Sequence, residues 1–205
     1  MSTSIVTETS PASSPCLVRL REVKDEFGIA DTASDTKLLR WATATSVRFA
    51  NACGRTFAAA SVSETFREVY GRGLLILSRH PVIEVASVTE AGEAVATDGY
   101  EVDPGAGLLY RLAGDCRTCW RARTIVVAYR AGFDPIPADV TDAVLTVMRH
   151  RWATSDRDPL LRSFSIDGVG REDYWVPLQG GDTAALPPDL LPVADTIAHY
   201  RQVGI

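Results

Sequence analysis

The chain has 205 residues, of which 46% are hydrophobic and 23% are charged, a composition typical of one compact core or of a core with a smaller insertion. Its 26 acidic and 21 basic residues give a formal net charge of −5, which disfavours tight binding to a phosphate backbone. The sequence contains no run of about 18 apolar residues and no basic, apolar leader, so it predicts neither a membrane span nor a secretory signal. We expect a soluble protein of the cytoplasm.

The first part of the chain predicts a flexible arm followed by two helices. Residues 1–16 are rich in Ser, Thr and Pro and hold few apolar residues, which is typical of a flexible arm. Residues 20–27 suit a short helix that ends at Gly28, and residues 35–53 suit a longer amphipathic helix that ends at Gly54. The apolar stripe of the longer helix has helical spacing and consists of Leu38, Ala42, Thr45, Phe49 and Ala52.

The middle of the chain predicts an antiparallel sheet. Between about residues 62 and 132, short runs of β-branched and aromatic residues alternate with turn signals, which indicates five or six strands. Pro104 and Gly105 suit the central positions of a type II turn. A second long helix is predicted over residues 137–153, with Pro137 in its first turn.

The last part of the chain predicts an extended arm. Residues 155–188 show no period and are rich in Gly, Asp and Pro, and a span of this kind often has a binding task. A short helix ending near Arg201 closes the chain. The predicted fold class is therefore α+β: a small helical bundle with an inserted antiparallel sheet and an extended C-terminal arm. The predicted divisions are residues 1–16, 17–154 and 155–205.

Cys116 and Cys119 have the C-x-x-C spacing of zinc and thiol-exchange sites. A structural zinc site needs four ligands, and the remaining cysteines and histidines fall in separate elements. A thioredoxin-like motif would open a helix, whereas this one stands between predicted strands. We interpret it as a turn, and a small zinc or thiol protein remains an alternative. His150 is predicted to be a surface residue, and no metal, cofactor or catalytic site is expected.

The order of the predicted pieces resembles the head-to-tail connector (adaptor) family of tailed bacteriophages, including prophage and gene-transfer-agent relatives. The resemblance runs from about residue 17 to residue 201. It rests on the order of several segments: "FANACGRTF", "SETFREV", "LLILSRHPVIEVASVTE", "YEVDPGAGLLYRL", "IVVAYRAGFDPIPADVTDAVLTVMRHRW", "RDPLLRSFSIDGVG", "YW" and "LPPDLL" with Tyr200 and Arg201. Each segment alone is a common structural pattern, and only the order of all the segments is specific to the family.

The resemblance implies a structural protein and not an enzyme. Subunits of this family form a ring, typically a dodecamer, that lies beneath the portal vertex of the virion neck and extends the DNA channel toward the tail. The implied partners are further copies of the chain, the portal protein, and a stopper or other tail protein, with DNA passing through without specific binding and without contact to a membrane. Assembly is expected in the bacterial host cytoplasm. Another neck protein, such as a stopper or tail-completion protein, is the alternative.

The C-terminal arm supplies the predicted docking residues. Aromatic and apolar side chains in an otherwise polar arm suit docking on a neighbouring protein, because such anchors carry a large share of interface energy. The predicted docking residues for the portal or another partner are Phe164, Tyr174, Trp175, Val176 and Tyr200.

Overall fold

The computed structural model describes residues 4–11, 14–153, 163–166, 170–173 and 186–202, the two short stretches from 163 to 173 by their backbone alone. The fold is α+β, as predicted. The chain divides into two compact units. We call residues 1–15 and 56–137 the β unit, and residues 16–55 and 138–205 the helical unit. No helix within the described ranges has the length and apolar character needed to cross a membrane.

The described residues of the β unit form nine strands in two antiparallel sheets. The strands are β1 (Ser4–Ser10), β2 (Ala60–Arg67), β3 (Leu74–Ile76), β4 (Val82–Glu90), β5 (Glu93–Ala94), β6 (Tyr100–Asp103), β7 (Leu108–Ala113), β8 (Cys116–Thr118) and β9 (Thr124–Ala131). The first sheet has the order β1-β2-β9-β4-β5, and the second has the order β3-β7-β6 with β8 also paired to β7. A short 3₁₀ helix, Thr97–Gly99, precedes β6.

One hydrophobic core joins the two sheets of the β unit. Its members alternate along their strands with outward-facing residues, as the period of two in a strand requires. Phe66 and Ile125 enter it from the first sheet, Leu75 and Leu109 from the second, and Trp120 from the segment before β9. Strands are thus present from residue 60 to residue 131, close to the predicted range of about 62 to 132, but they form two sheets and not one.

The prediction of a flexible N-terminal arm over residues 1–16 is wrong for residues 4–10. These residues form β1, which pairs with β2 from Ser4 opposite Phe66 to Glu8 opposite Val62. β1 is an edge strand, and of its side chains only Val6 packs against the core. A strand that buries so little needs few apolar residues, and its Ser- and Thr-rich composition therefore suggested disorder.

The turn after β6 also differs from the prediction. Gly107, and not Gly105, has positive φ, at 68°. The Asp103 carboxylate accepts hydrogen bonds from the N–H groups of Gly105 and Ala106, both at 3.1 Å. The Gly107 N–H donates to the Asp103 carbonyl at 2.9 Å. The aspartate side chain therefore stabilises a longer turn than the type II turn that Pro104 suggested.

The helical unit contains the two long helices that the sequence predicts. Its helices are α1 (Leu20–Phe27), α2 (Asp35–Cys53), α3 (Ala138–Ala153) and α4 (Ala194–Tyr200), with a 3₁₀ helix, Pro188–Val193, before α4. α1 and α2 end at Gly28 and Gly54, both in the left-handed conformation, as predicted. α2 packs against α3. Four residues of the predicted α2 stripe, Leu38, Ala42, Thr45 and Phe49, are buried, whereas Ala52 is half-buried. The buried residues of α3 are Val140, Ala143, Val144, Val147 and Met148.

The C-terminal part of the chain contributes to the core of the helical unit. Leu190, Val193 and Ile197 are all buried, so the described residues from 186 to 202 are part of a packed unit. Within the segment predicted to be an extended arm, β10 (Ser163–Ile166) and β11 (Gly170–Asp173) form an antiparallel pair. The rest of residues 154–185 lies outside the described residues.

Candidate interaction surfaces

The C-x-x-C segment is an exposed hairpin. β7 and β8 pair from Ala113 opposite Cys116, with Gly114 and Asp115 forming the turn. Cys116 and Cys119 are exposed free thiols. No group of three or more possible metal-binding side chains occurs in the part of the chain that the structure describes. The turn interpretation fits this geometry.

Cys53 lies in a different environment. It is fully buried at the end of α2. Burial raises the pKa of its thiol to about 11, although the nearby Arg55 and Arg201 partly oppose the change. Because the thiolate is the reactive form, a buried thiol with a raised pKa is chemically inert at neutral pH.

We expect thiol labelling to separate these cysteines. At pH 8 the native protein should react rapidly with iodoacetamide at Cys116 and Cys119, and at Cys53 only after unfolding. Peptide mass spectrometry of samples taken over time measures this. Cys116→Ser/Cys119→Ser should retain the melting temperature of the wild type. Stoichiometric zinc in the purified wild type, lost in the double variant, would contradict the turn interpretation.

The predicted docking residues have different placements. Phe164 lies on β10, and Tyr174, Trp175 and Val176 lie outside the described residues. Tyr200 ends α4, and its hydroxyl donates to the Asp139 carboxylate at the start of α3, at 3.0 Å. Burial and this hydrogen bond raise the pKa of the Tyr200 phenol. Tyr200 therefore joins two helices of its own unit.

The exposed side of α2 is a surface that the sequence interpretation missed. Leu39 and Val47 are 49% and 41% exposed, and Arg40 and Arg48 are exposed beside them. The only acidic residue in α2 is Asp35, whose carboxylate accepts a hydrogen bond from the Lys24 ammonium at 2.8 Å. The signal was available: the exposed positions of this helix contain cations and aliphatic residues but no acid.

A cluster of cations borders this side of α2. The Lys37 ammonium lies 4.7 Å from the ring centre of Trp41, and the Arg151 guanidinium lies 4.5 Å from it. Burial, followed by the charges of Arg48 and Arg40, lowers the pKa of Arg151. Arg48 also forms an ion pair with Asp189 at 2.6 Å. The local potential is therefore positive on a chain whose net charge is negative.

An open acidic cleft lies in the β unit. It encloses about 330 Å³ between β4, β5 and the 3₁₀ helix before β6. Its lining residues are Glu90, Glu93, Ala94, Val95, Ala96, Asp98, Gly99 and Arg111. The floor is an ion pair, in which Arg111 donates to Glu90 at 3.0 Å.

The carboxylates of this cleft differ in their bonding. Burial alone would raise the pKa of Glu90, but hydrogen bonds from the N–H of Arg121, the guanidinium of Arg111 and the N–H of Ala122 outweigh it and lower the pKa. The Glu90 carboxylate is therefore occupied by hydrogen bonds within the β unit. Glu93 and Asp98 are exposed on the rim, and their charges are available to a partner.

A second apolar surface lies on the smaller sheet of the β unit. Leu74 and Ile76 of β3 are 36% and 42% exposed. Beside them, Arg117 lies 3.7 Å from the ring centre of Tyr110 and pairs with Glu101 at 2.9 Å. β3 has only three residues, and a short edge strand limits pairing with another chain.

No protein-family model and no curated protein sequence matches the chain. Solved structures do match it. A chain of "Neck of empty GTA particle computed with C6 symmetry" superposes with a TM-score of 0.59 and 15% identity, covering 98% of this chain and 97% of that chain. A chain of "Virion of native gene transfer agent (GTA) particle" matches with a TM-score of 0.57, 15% identity and the same coverage.

A chain of "Neck of native GTA particle computed with C12 symmetry" matches with a TM-score of 0.50, 16% identity and again nearly full coverage of both chains. These matches span both units from end to end, so the similarity concerns the complete architecture and not one common motif. The chain therefore has the fold of proteins found in the neck and virion of gene transfer agent particles.

Proposed function

We propose that this protein is a structural, non-enzymatic subunit of the neck of a tailed-phage or gene-transfer-agent particle. The observation that carries the proposal is the nearly full-length match to chains in neck structures, which covers 98% of this chain. A shared fold alone leaves function open. A second line of support is the presence of exposed apolar surfaces suited to protein contact, such as Leu39 and Val47 on α2.

Within the neck, the proposed role is that of the head-to-tail connector. Its copies form a ring, a dodecamer in this proposal, beneath the portal protein and above a stopper or tail protein. The ring extends the DNA channel. A stopper is expected to be mainly β, whereas this chain adds a helical unit with two long helices to its β unit. The net charge of −5 suits a conduit through which DNA slides without sticking.

Crosslinking of native particles tests this role. Particles purified from the producing cells would be treated with a lysine- and carboxylate-reactive crosslinker, and the crosslinked peptides identified by mass spectrometry. The copy number would be measured against the portal protein. Links between this protein and the portal, at about one copy per portal subunit, are expected. Links only to tail proteins would favour the stopper or tail-completion alternative, and absence from intact particles would overturn the proposal.

We further propose that the segment with Phe164, Tyr174, Trp175 and Val176 docks on the portal or another partner. Removing everything after Ser155 is a poor test, because it also removes the buried Leu190 and Ile197 of the helical unit. Point variants avoid this problem, since they leave the rest of the chain intact.

Trp175→Ala is expected to weaken association with the portal roughly thirtyfold or more, because an aromatic anchor of an interface contributes about 2 kcal/mol or more. Its melting temperature should match that of the wild type. Binding of the purified chain to immobilised portal protein measures the effect. The matched control is Tyr70→Ala, which removes an aromatic side chain that is 72% exposed in the β unit. A large fall in melting temperature with binding intact would reverse the assignment of Trp175 from docking to folding.

A further inference from the structure

The exposed side of α2 has the composition of a protein interface. We define the α2 face as Leu39, Arg40, Thr43, Val47 and Arg48. Leu39, Thr43 and Val47 follow one another at intervals of four, and Arg40 and Arg48 are eight apart, so two parallel rows lie on the same side of the helix. Apolar residues with arginine and few acids are typical of interface cores; Asp189, which borders the face, is paired with Arg48.

Protein is a better partner for this face than DNA. A phosphate backbone is held by cations and hydrogen-bond donors, and such contacts give no reason for Leu39 and Val47 to be 49% and 41% exposed. Covering them with apolar atoms of another protein removes apolar area from water, which stabilises association. Arg48 already pairs with Asp189, so the partner must supply a carboxylate to Arg40 and small apolar groups to the aliphatic row.

The chain itself carries a surface with this complementary chemistry. The acidic cleft of the β unit has exposed carboxylates at Glu93 and Asp98, and small apolar side chains at Ala94, Val95 and Ala96 between them. Its concave form can accept side chains that project from a helix. Its charge is opposite to that of the α2 face.

We propose that the α2 face of one copy docks in the acidic cleft of a neighbouring copy. Two different surfaces that meet in this way form a heterologous contact, which repeats head to tail and closes into a ring when the rotation allows. Every copy carries both surfaces, so one kind of contact can build the whole assembly. The inference deepens the proposed function, because it rests on the ring, and it names the contact that holds the ring together.

Charge reversal with rescue tests the contact. Arg40 is exposed on α2, and Arg40→Glu places a carboxylate opposite the carboxylates of the cleft. Like charges that face each other disfavour association, so self-association of the purified chain should weaken roughly tenfold or more. Glu93→Arg should have a similar effect. The chain that carries both changes should regain most of the lost affinity, because each contact again joins opposite charges.

The matched control is Arg21→Glu on α1, whose side chain is 89% exposed. It changes the net charge by the same amount as Arg40→Glu and should leave association unchanged. Leu39→Asp is a second, independent variant that removes the apolar part of the face. Sedimentation velocity and native mass spectrometry over a range of concentrations measure association, and circular dichroism with thermal melting verifies that each variant is folded.

The outcomes separate this inference from the proposed function. Normal association of both Arg40→Glu and Leu39→Asp overturns the inference and leaves the neck role intact. Weakening by the single changes without rescue overturns the pairing with the cleft. If Arg40→Glu leaves association unchanged but weakens binding to a duplex DNA fragment, the face contacts DNA and the inference is wrong.

Should the wild type associate only within particles, its copy number per particle replaces sedimentation as the readout. A wild type absent from particles and unable to associate overturns the proposed function itself.

Discussion

Gly132→Ala is expected to destabilise the β unit by about 3 kcal/mol or more, because two separate costs add. Gly132 has φ of 124°, where residues with a side chain are strained. A Cβ atom would lie 2.8 Å from the Ala59 Cα atom and 2.9 Å from the carbonyl carbon and oxygen of Ala58. These are backbone atoms of a neighbouring segment and cannot move aside by changing a rotamer.

The surroundings of Gly132 explain why relaxation is costly. Its N–H donates to the Pro81 carbonyl at 2.9 Å, and the next N–H, of Phe133, donates to the Phe57 carbonyl at 2.7 Å. The rings of Phe57 and Phe133 stack with their centres 5.7 Å apart. A shift of the backbone at residue 132 would disturb all of these contacts.

Thermal melting followed by circular dichroism measures the effect of Gly132→Ala, and a fall of about 6–12 °C is expected for a chain of this length. The matched control is Gly28→Ala, at the end of α1. Gly28 also has positive φ, of 64°, but an added Cβ would meet nothing within 4 Å. Gly28→Ala should therefore lower the free energy of unfolding by only about 1 kcal/mol. Equal effects of the two substitutions would show that close backbone approach contributes nothing at Gly132.

Glu64→Leu is expected to cost about 3 kcal/mol, because it removes a buried carboxylate that accepts three hydrogen bonds, one of them from the buried Tyr129 hydroxyl. Glu64 is fully buried in β2. One carboxylate oxygen accepts from the Ser78 hydroxyl at 2.5 Å. The other accepts from the Ser78 N–H at 3.0 Å and from the Tyr129 hydroxyl at 2.8 Å. Leucine fills much of the same volume but accepts no hydrogen bond.

The same network holds Tyr129 in its neutral form. Burial and then the charge of Glu64 raise the pKa of the Tyr129 phenol. The phenol therefore stays a hydrogen-bond donor to Glu64 at neutral pH, while its oxygen accepts from the Arg79 N–H at 3.3 Å. The carboxylate, the phenol and the segment after β3 form one connected network, and removal of the carboxylate leaves the buried Tyr129 hydroxyl without its acceptor.

Urea unfolding measures the free energy of unfolding that Glu64→Leu loses. Two further variants test whether the loss comes from the hydrogen bonds of Glu64. Glu64→Gln keeps one carbonyl oxygen for two of the donors and places its NH₂ group where the Ser78 hydroxyl can accept, so it should lose about 1 kcal/mol. Glu84→Ala, at an exposed position of β4, should have almost no effect. If Glu64→Leu is as stable as the wild type, the buried network contributes nothing to folding.

The helical unit was largely predictable, because its signals are local. The stripes of α2 and α3 repeat with the helical period, and Gly28 and Gly54 stand at the helix ends, where a left-handed residue closes the last turn. Each of these signals depends on residues within one or two turns of the chain. The order of helices and strands along the chain also predicted the α+β class. It indicated the resemblance to neck proteins as well, and chains of solved neck structures have this fold.

The sites of contact were less predictable, because exposure is a property of the folded chain. The sequence drew attention to Cys116 and Cys119, which the fold places in an exposed hairpin. Leu39 and Val47 stand beside arginines and off the predicted stripe of α2, which is a signal for exposure. Aliphatic residues are nevertheless usually buried, and only the packing of α2 shows that these two lie outside.

By itself, then, the sequence determined the helices, their ends, the presence of strands and the negative net charge. Only the tertiary structure decided that the polar segment Ser4–Ser10 is a strand, and that the strands divide into two sheets. It also brought Glu64 to Ser78 and to Tyr129, which is 65 positions away along the chain. The physical reason is that helix formation depends on neighbours in sequence, whereas strand pairing and the burial of a charge depend on residues that only folding brings together.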